Sequence, residues 1–118
     1  MTPTGNMREQ RKTQVKCNQI NLQHSRTATN NLMQIIVTEN IDIALVQEPY
    51  LYQGKIKVVT RKYITYSYGD GKRRAAIIIA DNTIDAFLIT QYSDNGTALL
   101  EIKGNERFYS ASIYMDYY

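Results

Sequence analysis

Two uninterrupted apolar runs dominate the hydropathy pattern of this chain, Ile43-Ala44-Leu45-Val46 and Ala75-Ala76-Ile77-Ile78-Ile79-Ala80. Runs of this length without polar alternation read as strands buried on both faces. Residues 15–22 form a shorter strand candidate. After them Ala28, Leu32, Ile35 and Ile36 recur at i, i+4, i+7 and i+8, the stripe of an amphipathic helix. Ser25 sits where an N-cap hydroxyl takes an orphan backbone N–H, and Asn40 where a helix end tolerates a left-handed residue. Strand, helix, strand over this length is a crossover. It makes the two strands parallel and puts their carboxyl ends on one edge.

The remainder reads as strands. Residues 57–60 and 63–68 are short and rich in β-formers, and Gly69-Asp70-Gly71 is a turn signal. Asp81-Asn82 turns the second apolar run into residues 84–90, and Asn95-Gly96 marks the next turn. Residues 97–102 and 107–114 then pair across Lys103-Gly104-Asn105-Glu106. There is no internal repeat or linker. One helix followed by many strands predicts an α+β fold: a helix between parallel strands, then a mixed or antiparallel sheet.

Chemistry enters at Gln47-Glu48-Pro49-Tyr50, which ends the first apolar run. Proline cannot donate to a strand ladder, so Glu48 is left at the carboxyl end of an interior strand, where open α/β sheets put their ligands. A carboxylate there needs a cation or hydrogen-bond donors. A glutamate exposed in a loop just past the strand is the bland alternative. The crossover tips the balance, because Asn21 lies near the carboxyl end of the neighbouring strand. An amide beside a carboxylate suits a hard cation such as magnesium, or a phosphate oxygen held next to it. One carboxylate and one amide make an incomplete oxygen cage, so magnesium binds weakly if at all.

Composition narrows the class. With 118 residues, one domain with a modest core is the ceiling. Mean hydropathy of -0.42 fits a soluble globular chain, and no apolar run is long enough to span a bilayer. Residues 1–14 are polar and carry Arg8, Arg11 and Lys12. They read as a disordered basic leader without a secretory signal, ahead of a domain over 15–118. One cysteine and one histidine make neither a disulfide nor a zinc site, and Cys17 reads as a small buried core residue in an intracellular protein.

Four stretches in order, Gln19-Ile20-Asn21-Leu22-Gln23-His24-Ser25-Arg26, Gln47-Glu48-Pro49-Tyr50, Arg74-Ala75-Ala76-Ile77 and Ser110-Ala111-Ser112-Ile113-Tyr114, resemble the endonuclease/exonuclease/phosphatase superfamily. The match is best to the apurinic/apyrimidinic-like endonuclease domain of non-LTR retrotransposons, and covers its N-terminal half. The resemblance implies a part of a four-layer α/β sandwich that nicks DNA with a magnesium ion. It assigns Asn21 to the catalytic phosphate and the metal, Glu48 to the metal, and Tyr114 to orienting the scissile phosphate. Met115-Asp116 follows Tyr114 in place of the proline-containing turn of many members. The family's later Asp-x-Asn and Ser-Asp-His motifs, which carry the acid/base pair and the histidine, do not occur in residues 1–118. The expectation is therefore a shortened, inactive endonuclease domain. Its second sheet would be largely unbuilt and a wide apolar face left open. DNA is the implied partner, with the remaining half or a downstream polymerase domain as a further one, and the nucleus as its place of action.

Other readings stay open: a non-catalytic nucleic-acid or protein-interaction module, and a phosphatase-like member. Net charge is only +3. Two local clusters, Lys55, Lys57, Arg61, Lys62 and then Lys72, Arg73, Arg74, flank Tyr63, Tyr66 and Tyr68, a mixture able to track a phosphate backbone and stack on bases. Lys62, Arg73 and Arg74 are the expected nucleic-acid contacts, although alternating tyrosines and a strand-start arginine are also ordinary strand residues. His24 reads as a loop or cap residue without a catalytic part, Asp42 as structural, and nothing ties Asp116 to a metal.

Overall fold

The computed structural model describes residues 14–57, 60, 62–104 and 106–115. The leader apart from Gln14, half of the 57–60 stretch (residues 58 and 59), Arg61, Asn105 and Asp116 lie outside the described residues. The elements are β1 (Cys17–Asn21), α1 (Arg26–Thr38), β2 (Ile43–Gln47), β3 (Leu51–Tyr52), β4 (Lys55–Ile56), β5 (Ile64–Tyr66), β6 (Ala75–Ile79), β7 (Asp85–Leu88), a 3₁₀ turn (Thr90–Tyr92), β8 (Thr97–Lys103) and β9 (Arg107–Ile113). This is an α+β arrangement.

One sheet has the order β1-β2-β6-β5. β1 runs parallel to β2 with Asn21 opposite Gln47, whereas β2 and β6 are antiparallel with Gln47 opposite Ala75. The crossover therefore forms as its pattern predicts. Ser25 caps α1 by accepting from the Ala28 N–H at 3.0 Å. The helix ends with Asn40 at φ 54° and the Ile41 N–H donating to the Ile36 carbonyl, a Schellman closure that packs Ile41 against Ile36 in the core. Among the described residues no helix is long and apolar enough to cross a membrane.

β2 and β6 are buried on both faces because each face meets a different layer. Ala44, Val46 and Ile78 pack beneath Leu32 and Ile36 of α1. Ile43, Ile77 and Ile79 pack against Ala98, Leu100 and Ile102 of an antiparallel β7-β8-β9 sheet. The second sheet thus has three strands among the described residues, at the three strand stretches the pattern predicts, and its inner face is covered. A polar tie crosses the layers: the Gln47 amide donates to Ser112 Oγ at 2.9 Å, and that hydroxyl donates to the Val46 carbonyl at 2.7 Å. Both side chains are buried, so the bonds replace water that the two groups have lost.

Two local expectations change, one falls partly outside the described residues, and one holds. Cys17 is exposed, because the second sheet lies against β2 and β6 and leaves the edge strand β1 uncovered on that side. Its thiol is nonetheless pushed up from the ordinary value by desolvation and then by the nearby Asp42 carboxylate. The strand expected at 57–60 lies partly outside the described residues, and just before it stands a β3–β4 hairpin that was not expected, turned by Gln53 and Gly54 at φ 53° and 79°. Two positive φ values make this a primed turn, built here without the usual Asn-Gly signal. Tyr63 packs against the helix-side core, and Tyr66 against the inter-sheet core with its hydroxyl near the Ala86 carbonyl. Of the three tyrosines only Tyr68 is exposed. Asp42 is structural: it is buried and accepts from the Lys16 N–H at 2.9 Å, bracing the start of β1.

Replacing Ser112 with alanine orphans the Gln47 amide and takes a donor from the Val46 carbonyl. It should cost about 2 kcal/mol, the order of a buried polar group left unpaired. A urea unfolding midpoint within error of the unaltered chain would show that the tie contributes nothing.

Candidate active site

At the carboxyl edge of β1 and β2 the chain turns through left-handed backbone at three residues, with φ 51° at Gln23, 56° at His24 and 48° at Glu48. For residues with a Cβ this conformation costs about 1–2 kcal/mol each and persists only where surroundings impose it. Here backbone bonds impose it. The Leu22 N–H donates to the Gln47 carbonyl, the His24 N–H to the Glu48 carbonyl, and the Glu48 N–H to the Arg74 carbonyl at 2.8 Å. Glu48 is thus held between the β1 loop and the entry to β6.

Its carboxylate is engaged on both oxygens. Asn21 Nδ2 donates to Oε1 at 3.0 Å, while Asn21 Oδ1 accepts from the Gln23 N–H at 2.8 Å. That second bond fixes which way the amide faces. His24 Nε2 lies 3.1 Å from Oε2, and His24 Nδ1 lies 2.9 Å from the Pro49 carbonyl. Both neighbours of the imidazole are acceptors. Which of the two the ring donates to depends on its tautomer.

His24 and Glu48 line a cleft of about 340 Å³ together with Lys72, Arg74 and Tyr114. The Arg74 guanidinium lies 5.2 Å from the centre of the Tyr114 ring, a cation–π stack that steadies both side chains. Lys72 and Arg74 come from the loop into β6, and Tyr114 from the residue just past β9. The second sheet therefore supplies one wall of a cleft whose floor belongs to the first. One carboxylate shares the cleft with two cations, an arrangement that suits a phosphate group with a divalent ion beside it.

Asn21, Glu48, Arg74 and Tyr114 are thus brought to one edge, with Asn21 bonded to Glu48. Arg73 points elsewhere: its Nη1 donates to the Gly71 carbonyl, and its Nε is buried without a hydrogen-bond partner. Lys62 is exposed and does not line the cleft. Two lining residues were missed from sequence. His24, read as a loop residue, reaches Glu48 because the loop is left-handed, and Lys72 was seen only as one charge of a cluster. Among the described residues no group of three or more His, Cys, Asp or Glu could hold a metal ion. The donor set fits a hard cation held through Glu48 alone, with its remaining positions left to water and substrate oxygens.

The first sheet and its loops thus supply the amide–carboxylate pair and both cations, and the residue just past β9 of the second sheet supplies the tyrosine. Among solved structures the chain is similar to the endonuclease domain of TRAS1, a telomere-specific non-LTR retrotransposon, with a TM-score of 0.73 and 26% sequence identity. The match covers 87% of this chain and 45% of that one, so the chain spans less than half the length of the domain it resembles. The resemblance drawn from the four sequence motifs is borne out by this fold. No protein-family model matches the sequence, and no curated protein does.

The left-handed turn yields a stability test. Gln23→Gly should raise stability by about 0.5 kcal/mol or leave it unchanged, because relief of strain outweighs the added freedom of the unfolded chain. Gln23→Val, which is β-branched, should lower it by more than about 1 kcal/mol. Urea unfolding of the pair checks the sign. Equal effects of glycine and valine would mean that the backbone at Gln23 is not left-handed.

Proposed function

We propose that this chain carries the N-terminal part of a divalent-ion-dependent endonuclease domain of the non-LTR retrotransposon type, acting on the phosphodiester backbone of DNA. The supporting observation is the Asn21–Glu48 pair beside a cleft walled by Lys72, Arg74 and Tyr114. Glu48 would hold magnesium, in the way that ion takes one or two carboxylates and shares substrate phosphate oxygens. When bound, such an ion polarises the phosphate and stabilises charge on the leaving oxygen. The rest is the work of side chains. Asn21 orients the Glu48 carboxylate by donating to Oε1. Arg74 and Lys72 neutralise the phosphate, and the Tyr114 phenol, steadied by Arg74, donates to a phosphate oxygen. Arg73 and Lys62 meet the flanking backbone of the duplex, where they add affinity without sequence information. Acting on chromosomal DNA would place the domain in the nucleus.

In this reading residues 1–118 bind DNA without cutting it, because they hold neither an Asp-x-Asn nor a Ser-Asp-His motif. Members of a catalytic unit act together, and losing several costs orders of magnitude in rate. A second reading is an interaction module without catalysis.

Supercoiled plasmid with magnesium separates these. Residues 1–118 should leave it intact, while a polypeptide continuing through both motifs should nick it. Glu48→Ala in that longer polypeptide should slow nicking by at least about two orders of magnitude. Glu48-dependent nicking by residues 1–118 would overturn the assignment of the missing groups. A longer polypeptide that binds DNA and never nicks would favour the interaction module, and phosphate release from inositol phosphates would favour a phosphatase. In the binding assay, Arg74→Gln should weaken association with duplex DNA and reduce the slope of log affinity against log salt by about one.

A further inference from the structure

We infer that Asn95 is a positioning residue for the cationic wall of the cleft, its side chain locking the loop 69–74 so that Arg74 lies over Tyr114. Only the identity of the anion in that cleft rests on the function proposed above.

Asn95 lies in the turn between the 3₁₀ segment and β8, where the Asp94 side chain accepts from the Gly96 N–H at 2.8 Å. From there it reaches the first sheet by two kinds of acceptor. Its main-chain carbonyl accepts from the Arg74 N–H at 2.6 Å and the Ala75 N–H at 3.2 Å. Its side-chain Oδ1 accepts from the Gly71 N–H at 3.1 Å. One residue thus grips the backbone on both sides of Lys72-Arg73-Arg74. Three consecutive cations repel one another, and an unanchored loop would spread them at little cost.

The glycines of this loop take their meaning from Asn95. Gly69 has φ 124°, and a Cβ there would run into Asn95 Oδ1 and lie 2.9 Å from the Asn95 backbone nitrogen. At Gly71 a Cβ would come within 3.0 Å of Asn95 Nδ2. The loop passes so close over this residue that Gly69 excludes a side chain and Gly71 admits one only if the Asn95 amide gives way. The same turn also holds the other partner of the stack, because the Gly96 carbonyl accepts from the Tyr114 N–H at 2.9 Å. Arg74 in turn offers its carbonyl to the Glu48 N–H. Glu48, Arg74 and Tyr114 are therefore connected by backbone hydrogen bonds through residues 95 and 96. The Asn95 side chain is the one link in this chain of contacts that substitution can remove while every main-chain bond stays possible.

The test uses nuclear magnetic resonance on residues 1–118, following the arginine Nε–H signals, the methyls of Ile77 and Leu100, and titration with inorganic phosphate. In the unaltered chain the Arg74 Nε–H should be displaced by the ring current of Tyr114. Asn95→Ala should abolish that displacement and raise the phosphate midpoint about fivefold, the effect of losing one hydrogen bond, with the core methyls unmoved. Asn95→Asp keeps an Oδ1 acceptor and should restore the ring shift, whereas Asn95→Gly, which suits the turn but has no side-chain acceptor, should not. An Asn95→Ala protein with intact core methyls, an unchanged Arg74 signal and an unchanged phosphate midpoint would overturn the inference. Should the alanine variant lose its core, hydrogen exchange of the Gly71 amide in the unaltered chain decides. Protection supports the latch, and exchange at the rate of an open loop overturns it. Phosphate that leaves Arg74 unmoved in the unaltered chain would refute the proposed anion site, with the ring-shift comparison still deciding the part played by Asn95.

Discussion

The antiparallel pairing of β2 with β6 governs where every group of the cleft can stand. Both strands are buried on two faces, so neither can slip by one residue without moving its helix-side residues onto the other sheet and the reverse. That register sets Gln47 opposite Ala75. The next residue on one strand and the preceding residue on the other are Glu48 and Arg74, joined by the Glu48 N–H and the Arg74 carbonyl. An acidic and a basic side chain are thus delivered to one edge by core packing alone. The parallel partner β1 adds Asn21 by the same logic, since its register opposite β2 is fixed by the crossover helix.

The second sheet completes what the first begins. Its inner residues Ala98, Leu100 and Ile102 bury the far side of β2 and β6, and the Gln47–Ser112 tie aligns it one residue before Glu48 and two before Tyr114. Apolar burial supplies the attraction between layers without regard to alignment. The hydrogen-bonded links through Ser112, Asn95 and Gly96 supply the alignment. A cleft between two layers can be stable yet misaligned, and these few polar contacts separate the two conditions.

Much of this was legible in the sequence, for reasons that differ by residue. Unbroken apolar runs announced β2 and β6, the Ser25 cap and the Leu32–Ile36 stripe announced α1, and Asn95-Gly96 announced a turn. Each is a local signal with a local cause. The remainder is not local. Left-handed backbone at Gln23, His24 and Glu48 is imposed by bonds to strands far along the chain, so His24 could not be seen to reach Glu48. Gln53-Gly54 makes a primed turn without its usual residues, which hid the β3–β4 hairpin. Cys17 looked like a core thiol because residue type favours burial, whereas its exposure depends on how far the second sheet extends across the first. Gly69-Asp70-Gly71 announced a break between strands, but the reason Gly69 must be glycine lies in its positive φ and in Asn95, in the turn before β8.

The central claim is that Glu48, Arg74 and Tyr114 are held as one unit by backbone bonds spanning two sheets. Amide hydrogen exchange tests it most directly. The Glu48, Arg74 and Tyr114 amides should be protected to nearly the same degree as Val46 and Ile77 in the strand interiors, because opening any of them requires parting the layers. Exchange of these three at the rate of an exposed loop, with Val46 and Ile77 still protected, would mean that the cleft is not built by the pairing of the two sheets.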